Sequence, residues 1–136
     1  MQTRAMLTLD DVRAIAQAAE AEALRHHWAV TIAVVDDGGH PLWLQRLDGA
    51  PPISAHIAPA KARTAAVGRR ESRVYEESIN QGRTAFLSAP TLDGMLEGGV
   101  PIMVDGQCVG AVGVSGVKST EDVQIARAGI AALPGV

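Results

Sequence analysis

The chain has 136 residues and a net charge of −3, a length that fits one compact domain. Nearly half of it is hydrophobic, but only two Trp, one Tyr and one Phe are present. Neither the basic face nor the stacking platform of a nucleic-acid-binding protein is therefore expected. Cys108 is the only cysteine, which excludes an internal disulfide and a cysteine zinc cluster and fits a reducing, cytoplasmic compartment. The start "MQTRAMLTLDD" lacks the apolar core of a signal peptide, and no apolar run is long enough to span a bilayer, so no membrane partner is expected.

The first predicted element is a helix from Leu9 to Arg25. Thr8 with Asp11 forms a capping-box signature, and Val12, Ile15, Ala16, Ala19 and Ala23 recur at helical spacing. His26 and His27 follow its end. "WAVTIAVVDD" is a β-branched apolar run without polar alternation, which predicts a strand covered on both faces. Asp37-Gly38-Gly39 marks a turn, and "HPLWLQRL" returns as the second strand.

Ser54 is placed to cap a helix over "AHIAPAKARTAAVG", in which Pro59 is tolerable only near the first turn. "ESRVYEESINQG" predicts a shorter helix with Val74, Ser78 and Ile79 inward. "RTAFLSAPTLDGMLEGG" has no clean period and reads as a loop with room for one turn of helix. "VPIMVDGQCVGAVGVSG" is a hairpin turned by Asp105-Gly106. Ser119 or Thr120 then caps a last helix over "EDVQIARAGIAAL". The order predicts a single α+β domain over residues 1–136, with an antiparallel sheet of about five strands flanked by helices as an α/β/α sandwich.

The stretch "GAVGVSGVKST" touches several motifs and completes none. A phosphate-binding loop needs Gly-Lys-Ser/Thr, and here Val117 separates Gly116 from Lys118. A nucleophile elbow needs Gly-x-Ser-x-Gly, but Ser115 is followed directly by Gly116. These glycines instead suit a strand that another backbone approaches closely.

Among the charged groups, Arg46 in "RLDGA" offers a planar fork of donors for a ligand carboxylate, or forms a local ion pair within a turn. Lys61 lies one turn after Ile57 on an alanine-rich helix, with Asp36 at a strand end as a conceivable partner. His26, His27, His40 and His56 show no metal-motif spacing, yet a single axial imidazole to a haem iron needs only one of them.

"VTIAVVDDGGHPLWLQRLDGA", "APAKARTAA", "GGVPIMVDGQCVGAVGVSG" and "STEDVQIARAGIAAL", in this order, resemble the GlcG/HbpS family of haem-binding or haem-degrading proteins. The same domain also forms the C-terminal part of some cobalamin adenosyltransferases. The resemblance implies a profilin-like sandwich, homo-oligomeric assembly and a small-molecule ligand, with haem or another tetrapyrrole as the cofactor to expect. It marks Asp36, Arg46, Asp48, Lys61 and Ser115, with Gly98 and Gly99, as site positions.

Two further functions remain open. One is a catabolic enzyme for a small carbonyl or hydroxy-acid compound, with Lys61 or Asp36 in proton transfer and Arg46 on the substrate carboxylate. The other is a non-catalytic assembly module.

Overall fold

The computed structural model describes residues 1–136. Helix α1 spans Leu9–Arg25, strand β1 Thr31–Asp36, β2 Pro41–Arg46, α2 Ser54–Gly68, α3 Ser72–Asn80, β3 Gly99–Val104, β4 Gln107–Ser115 and α4 Ser119–Ile130. A short 3-10 turn at Thr84–Ser88 occupies part of the predicted loop. The sheet has four strands, close to the five expected, in the order β2-β1-β4-β3 with every neighbouring pair antiparallel.

β1 is buried on both faces from Thr31 to Val35, as its unbroken apolar run predicts. Ile32 and Val34 point to one side, where Val112 and Val114 of β4 join them. Val12, Ile15 and Ala19 of α1 and Ile125 and Ala126 of α4 complete that core. Ala33, Val35 and Ala111 point to the other side and meet Ala58, Ala62, Ala65 and Ala66 of α2. The result is an α+β, three-layer sandwich. No helix is long and apolar enough to cross a membrane.

The second core is made almost wholly of alanine, and that composition sets its geometry. Alanine on α2 and glycine on β4 let the helix backbone approach the sheet closely. A Cβ built on Gly113 would stand 2.1 Å from the Ala58 carbonyl oxygen and 2.5 Å from the Ala62 nitrogen. Only a residue without a side chain fits there, which is the close approach that the glycine spacing of β4 predicts.

Several predicted details differ. Lys118 holds the N-cap position of α4 and Ser119 is its first helical residue, so neither Ser119 nor Thr120 caps it. Ser54 does not cap α2. It is the first helical residue, with its hydroxyl 2.7 Å from Thr31 Oγ1 and donating to the Pro51 carbonyl at 2.6 Å. Pro59 lies beyond the first turn, where it leaves the Ala55 carbonyl without its helical donor. Packing of the alanine face against the sheet holds the helix through that gap. In α3 the buried residues are Ser72 and Tyr75, with Val74 and Ile79 half-buried.

Replacing Gly113 by Ala inserts a methyl group into this contact. The expected cost is about 1–3 kcal/mol, as for other overpacked cores, read as a lower urea midpoint with an unchanged slope.

Candidate functional site

Lys61 is placed by α2 on the face that meets the end of β4. Its side chain is only 4% exposed. Nζ donates to the Val114 carbonyl at 3.0 Å and to Asp122 Oδ2 at 3.2 Å. Asp122 lies in the first turn of α4, equally buried, and its Oδ1 accepts from the Val117 amide at 3.3 Å. The lysine therefore joins the α2 layer to the α4 layer around the end of the sheet.

The loop before β3 closes over this pair. Gly98 has φ +138°, and a Cβ there would stand 2.6 Å from Lys61 Nζ. A Cβ on Gly99 would stand 2.2 Å from the Lys61 carbonyl oxygen. The Gly98 carbonyl accepts from the Val114 amide at 3.0 Å, and the Gly99 amide donates to Ser72 Oγ at 2.8 Å. Ser119 Oγ donates to Glu97 Oε1 at 2.9 Å and ties the loop to α4. Ser115, also buried, follows Val114 on β4. Lys61, Gly98, Gly99 and Ser115 thus do come together, as parts of a closed clamp.

The clamp has one strained group. Burial pushes the Asp122 carboxyl above the ordinary aspartate value of 3.8, while the Lys61 charge and hydrogen bond pull it back down. The ionised aspartate is tolerated there because a cation sits beside it.

Asp36 stands elsewhere, at the opposite end of β1. Its carboxylate accepts from the amides of Gly38 and His40, both at 2.9 Å, and contacts His40 Nδ1 at 3.0 Å. Burial raises its pKa, but these hydrogen bonds outweigh burial and hold it below the ordinary range. The partner of Asp36 is His40 and the partner of Lys61 is Asp122, so the suggested Asp36–Lys61 pairing does not form. Arg46 is exposed at the end of edge strand β2, where Nε donates to the Ala50 carbonyl at 3.1 Å. Asp36, Lys61 and Arg46 do not share one site.

The histidines separate in the same way. His26 Nε2 lies 3.3 Å from Glu22 Oε2, and its ring stacks on Trp28 with centroids 4.3 Å apart. His56 is exposed on α2. His27 is different. It takes φ +59° directly after α1, its amide donating to the Leu24 carbonyl and the Trp28 amide to the Ala23 carbonyl. That is a Schellman helix stop, a position usually given to glycine. Left-handed backbone costs a side-chain-bearing residue roughly 1–2 kcal/mol.

The turn exposes the His27 imidazole along a groove of about 300 Å³ lined also by Glu20, Leu24, Trp28, Leu47 and Asp48. Asp48 is the one charged residue of "RLDGA" that lines it. No three His, Cys, Asp or Glu side chains converge as a metal cage.

Asp122 is the residue the sequence did not single out. As an acid in a first helical turn it reads as a complement to the helix dipole, and nothing in its spacing signals burial against Lys61. Glu97, Ser119 and Ser72 are missed for the same reason, because each acts through a partner distant in sequence.

The fold and these features define an α/β/α sandwich with a buried ion-pair clamp and an exposed histidine groove. A family model described as "Haem degrading protein HbpS-like" matches residues 7–131, and the chain belongs to that family. It is 56% identical over 115 residues to Protein GlcG of Escherichia coli strain K12, covering 85% of each chain. The crystal structure of a double mutant of Streptomyces reticuli HbpS superposes with a TM-score of 0.88 at 34% identity, covering 98% of this chain and 90% of that one. The PduOC–haem complex superposes with a TM-score of 0.87 at 26% identity, covering 96% of each.

Removing the clamp's cation tests its role. Lys61→Met leaves Asp122 buried without a counter-charge and is expected to cost about 3–5 kcal/mol, whereas Lys61→Met with Asp122→Leu recovers most of the loss. The variant also has a signed pH dependence. A carboxyl whose folded pKa lies above its unfolded value favours the fold at low pH, and that contribution is lost as pH rises through the folded value. Urea midpoints of Lys61→Met should therefore fall more steeply than those of the parent as pH rises above 3.8, the ordinary aspartate value.

Proposed function

We propose that this chain is a cytoplasmic, homo-oligomeric binding protein for haem or a closely related tetrapyrrole, and that His27 is the residue that would hold its iron. The observation that carries this is the histidine held in left-handed backbone beside a groove lined by Leu24, Trp28 and Leu47 together with Glu20 and Asp48. The donor set fits the group, since a single imidazole suffices to hold a haem iron. Leu24, Trp28 and Leu47 provide apolar surface beside it. His26 and His40 are already engaged with Glu22 and Asp36, and His56 lines none of the principal clefts. The likeness to HbpS and to a haem complex supports the same ligand.

Haem, when bound, supplies the iron and the redox chemistry. The chain's own part is to ligate the iron through His27 and to exclude water along Trp28 and Leu47. Lys61 is committed to Asp122 and cannot reach a propionate, so Arg46 is the remaining marked cation for that task.

A groove of this size covers only one edge of a macrocycle, and a second copy of the chain would cover the rest. Leu42 and Leu44 of β2 and Ile53 beside α2 are exposed apolar residues that suit such an assembly.

Haem titration should give a Soret shift that saturates near one haem per chain. His27→Ala should abolish it, while His26→Ala, His40→Ala and His56→Ala should leave it in place. A parent protein with no Soret shift ends the proposal. A shift that survives in His27→Ala removes the assigned ligand.

A further inference from the structure

A second cleft, of about 480 Å³, lies at the other end of the molecule. Gln2, Arg4, Arg69, Met103, Gln107 and Cys108 line it, beside the Gly106 turn. His27 precedes the start of β1 and Asp37 follows its end. The strand between them has six residues and separates the two places by roughly 20 Å at the usual rise per residue. The cleft is therefore independent of the histidine groove.

Its ion pairing is uneven. Arg4 Nη2 lies 2.9 Å from Asp37 Oδ2, and Arg69 Nη2 lies 3.6 Å from the same oxygen. Two guanidinium groups share one carboxylate, so not all of their donors are met by it. The neighbouring Asp36 keeps its negative charge but pairs with His40 and the local amides rather than with either arginine. Asp105 faces the adjoining cleft around Thr3, Arg4 and Gln107.

Both arginines are nearly half exposed, yet each is anchored. Arg69 also donates to the Asp37 carbonyl and to the Ala66 carbonyl, so its fork is held at the cleft before any ligand arrives. A pre-positioned guanidinium loses little entropy on binding a carboxylate.

The surroundings restrict the anion. Arg69 is the C-cap of α2, where the helix dipole presents its negative end. That end disfavours a doubly charged phosphate and tolerates a monoanion paired with guanidinium. Gln2 and Gln107 bring amides that match hydroxyl or carbonyl groups, and Met103 and Cys108 give the cleft a small apolar surface.

We propose that this cleft binds a small organic monocarboxylate bearing hydroxyl or carbonyl groups. Arg69 and Arg4 take its carboxylate, and Gln2 and Gln107 take its polar substituents.

Gluconate, a hydroxylated monocarboxylate, serves as the probe. It is titrated into the full chain at constant ionic strength and followed by two-dimensional amide NMR, with chloride and inorganic phosphate as separate arms. Saturable shifts are expected with gluconate at Arg69, Gln107 and Cys108, weaker ones with phosphate and none with chloride. Arg69→Gln and, separately, Arg4→Gln should each weaken gluconate binding about tenfold, the effect of losing one charge-assisted hydrogen bond. His27→Ala should bind gluconate as the parent does, which keeps this outcome separate from that of haem binding.

Arg4 lies on an exposed segment, so Arg4→Gln remains informative if Arg69→Gln disturbs the end of α2. Absence of saturable shifts overturns the proposal. So does phosphate binding as tightly as gluconate, which makes the cleft a general anion trap. Gluconate affinity unchanged in Arg4→Gln overturns the two-arginine site.

Discussion

The buried pair of Lys61 and Asp122 is the interaction on which the arrangement of the chain depends. A charge moved out of water carries a large desolvation cost, and it stays in a fold only when a counter-charge and hydrogen bonds meet it there. Lys61 receives both, from Asp122 and from the Val114 carbonyl. Because the two residues sit on helices from opposite faces of the sheet, their bond fixes α2 relative to α4. The loop carrying Gly98 and Gly99 is then shaped around the lysine, with no room for a side chain at either position.

That clamp depends in turn on the composition of α2. An alanine face lets the helix settle on glycine-bearing β4 at a distance that larger residues would prevent. The short separation brings the lysine to the strand end. A bulkier helix would stand farther off and leave the ammonium short of Asp122. The small-residue core and the buried ion pair are parts of one device.

With its cation committed inside, the protein keeps its available chemistry at the two ends of β1. At one end His27 is forced into view by the stop of α1. At the other, Arg4 and Arg69 crowd a single carboxylate. The family of the chain is clear from residues 7–131, and the same scaffold in its relatives carries the same sandwich. Fold alone does not assign an activity. The two proposed ligands rest on the local placement of an imidazole at one end and of guanidinium groups at the other.

Local pattern determined most of the architecture. The capping box at Thr8, the apolar run of β1, the Asp105-Gly106 turn and the helical spacing of apolar residues in α1 each act over a few residues, so each could be read directly. The glycine spacing of β4 likewise revealed a close approach, though not the helix that makes it.

The site was less legible. Family resemblance marks Lys61, Gly98, Gly99 and Ser115 alongside Asp36, Arg46 and Asp48, and the clamp around the first four depends on Asp122, sixty-one positions from Lys61. Asp36 and Arg46 both stand at strand ends in sequence, yet they lie at opposite ends of the sheet, because antiparallel pairing reverses the direction of neighbouring strands. Sequence by itself determined the elements, since turn chemistry and hydrophobic period are local properties. Only the tertiary structure decided which charges are buried and paired and which face solvent, because burial and pairing arise when distant segments share the same space.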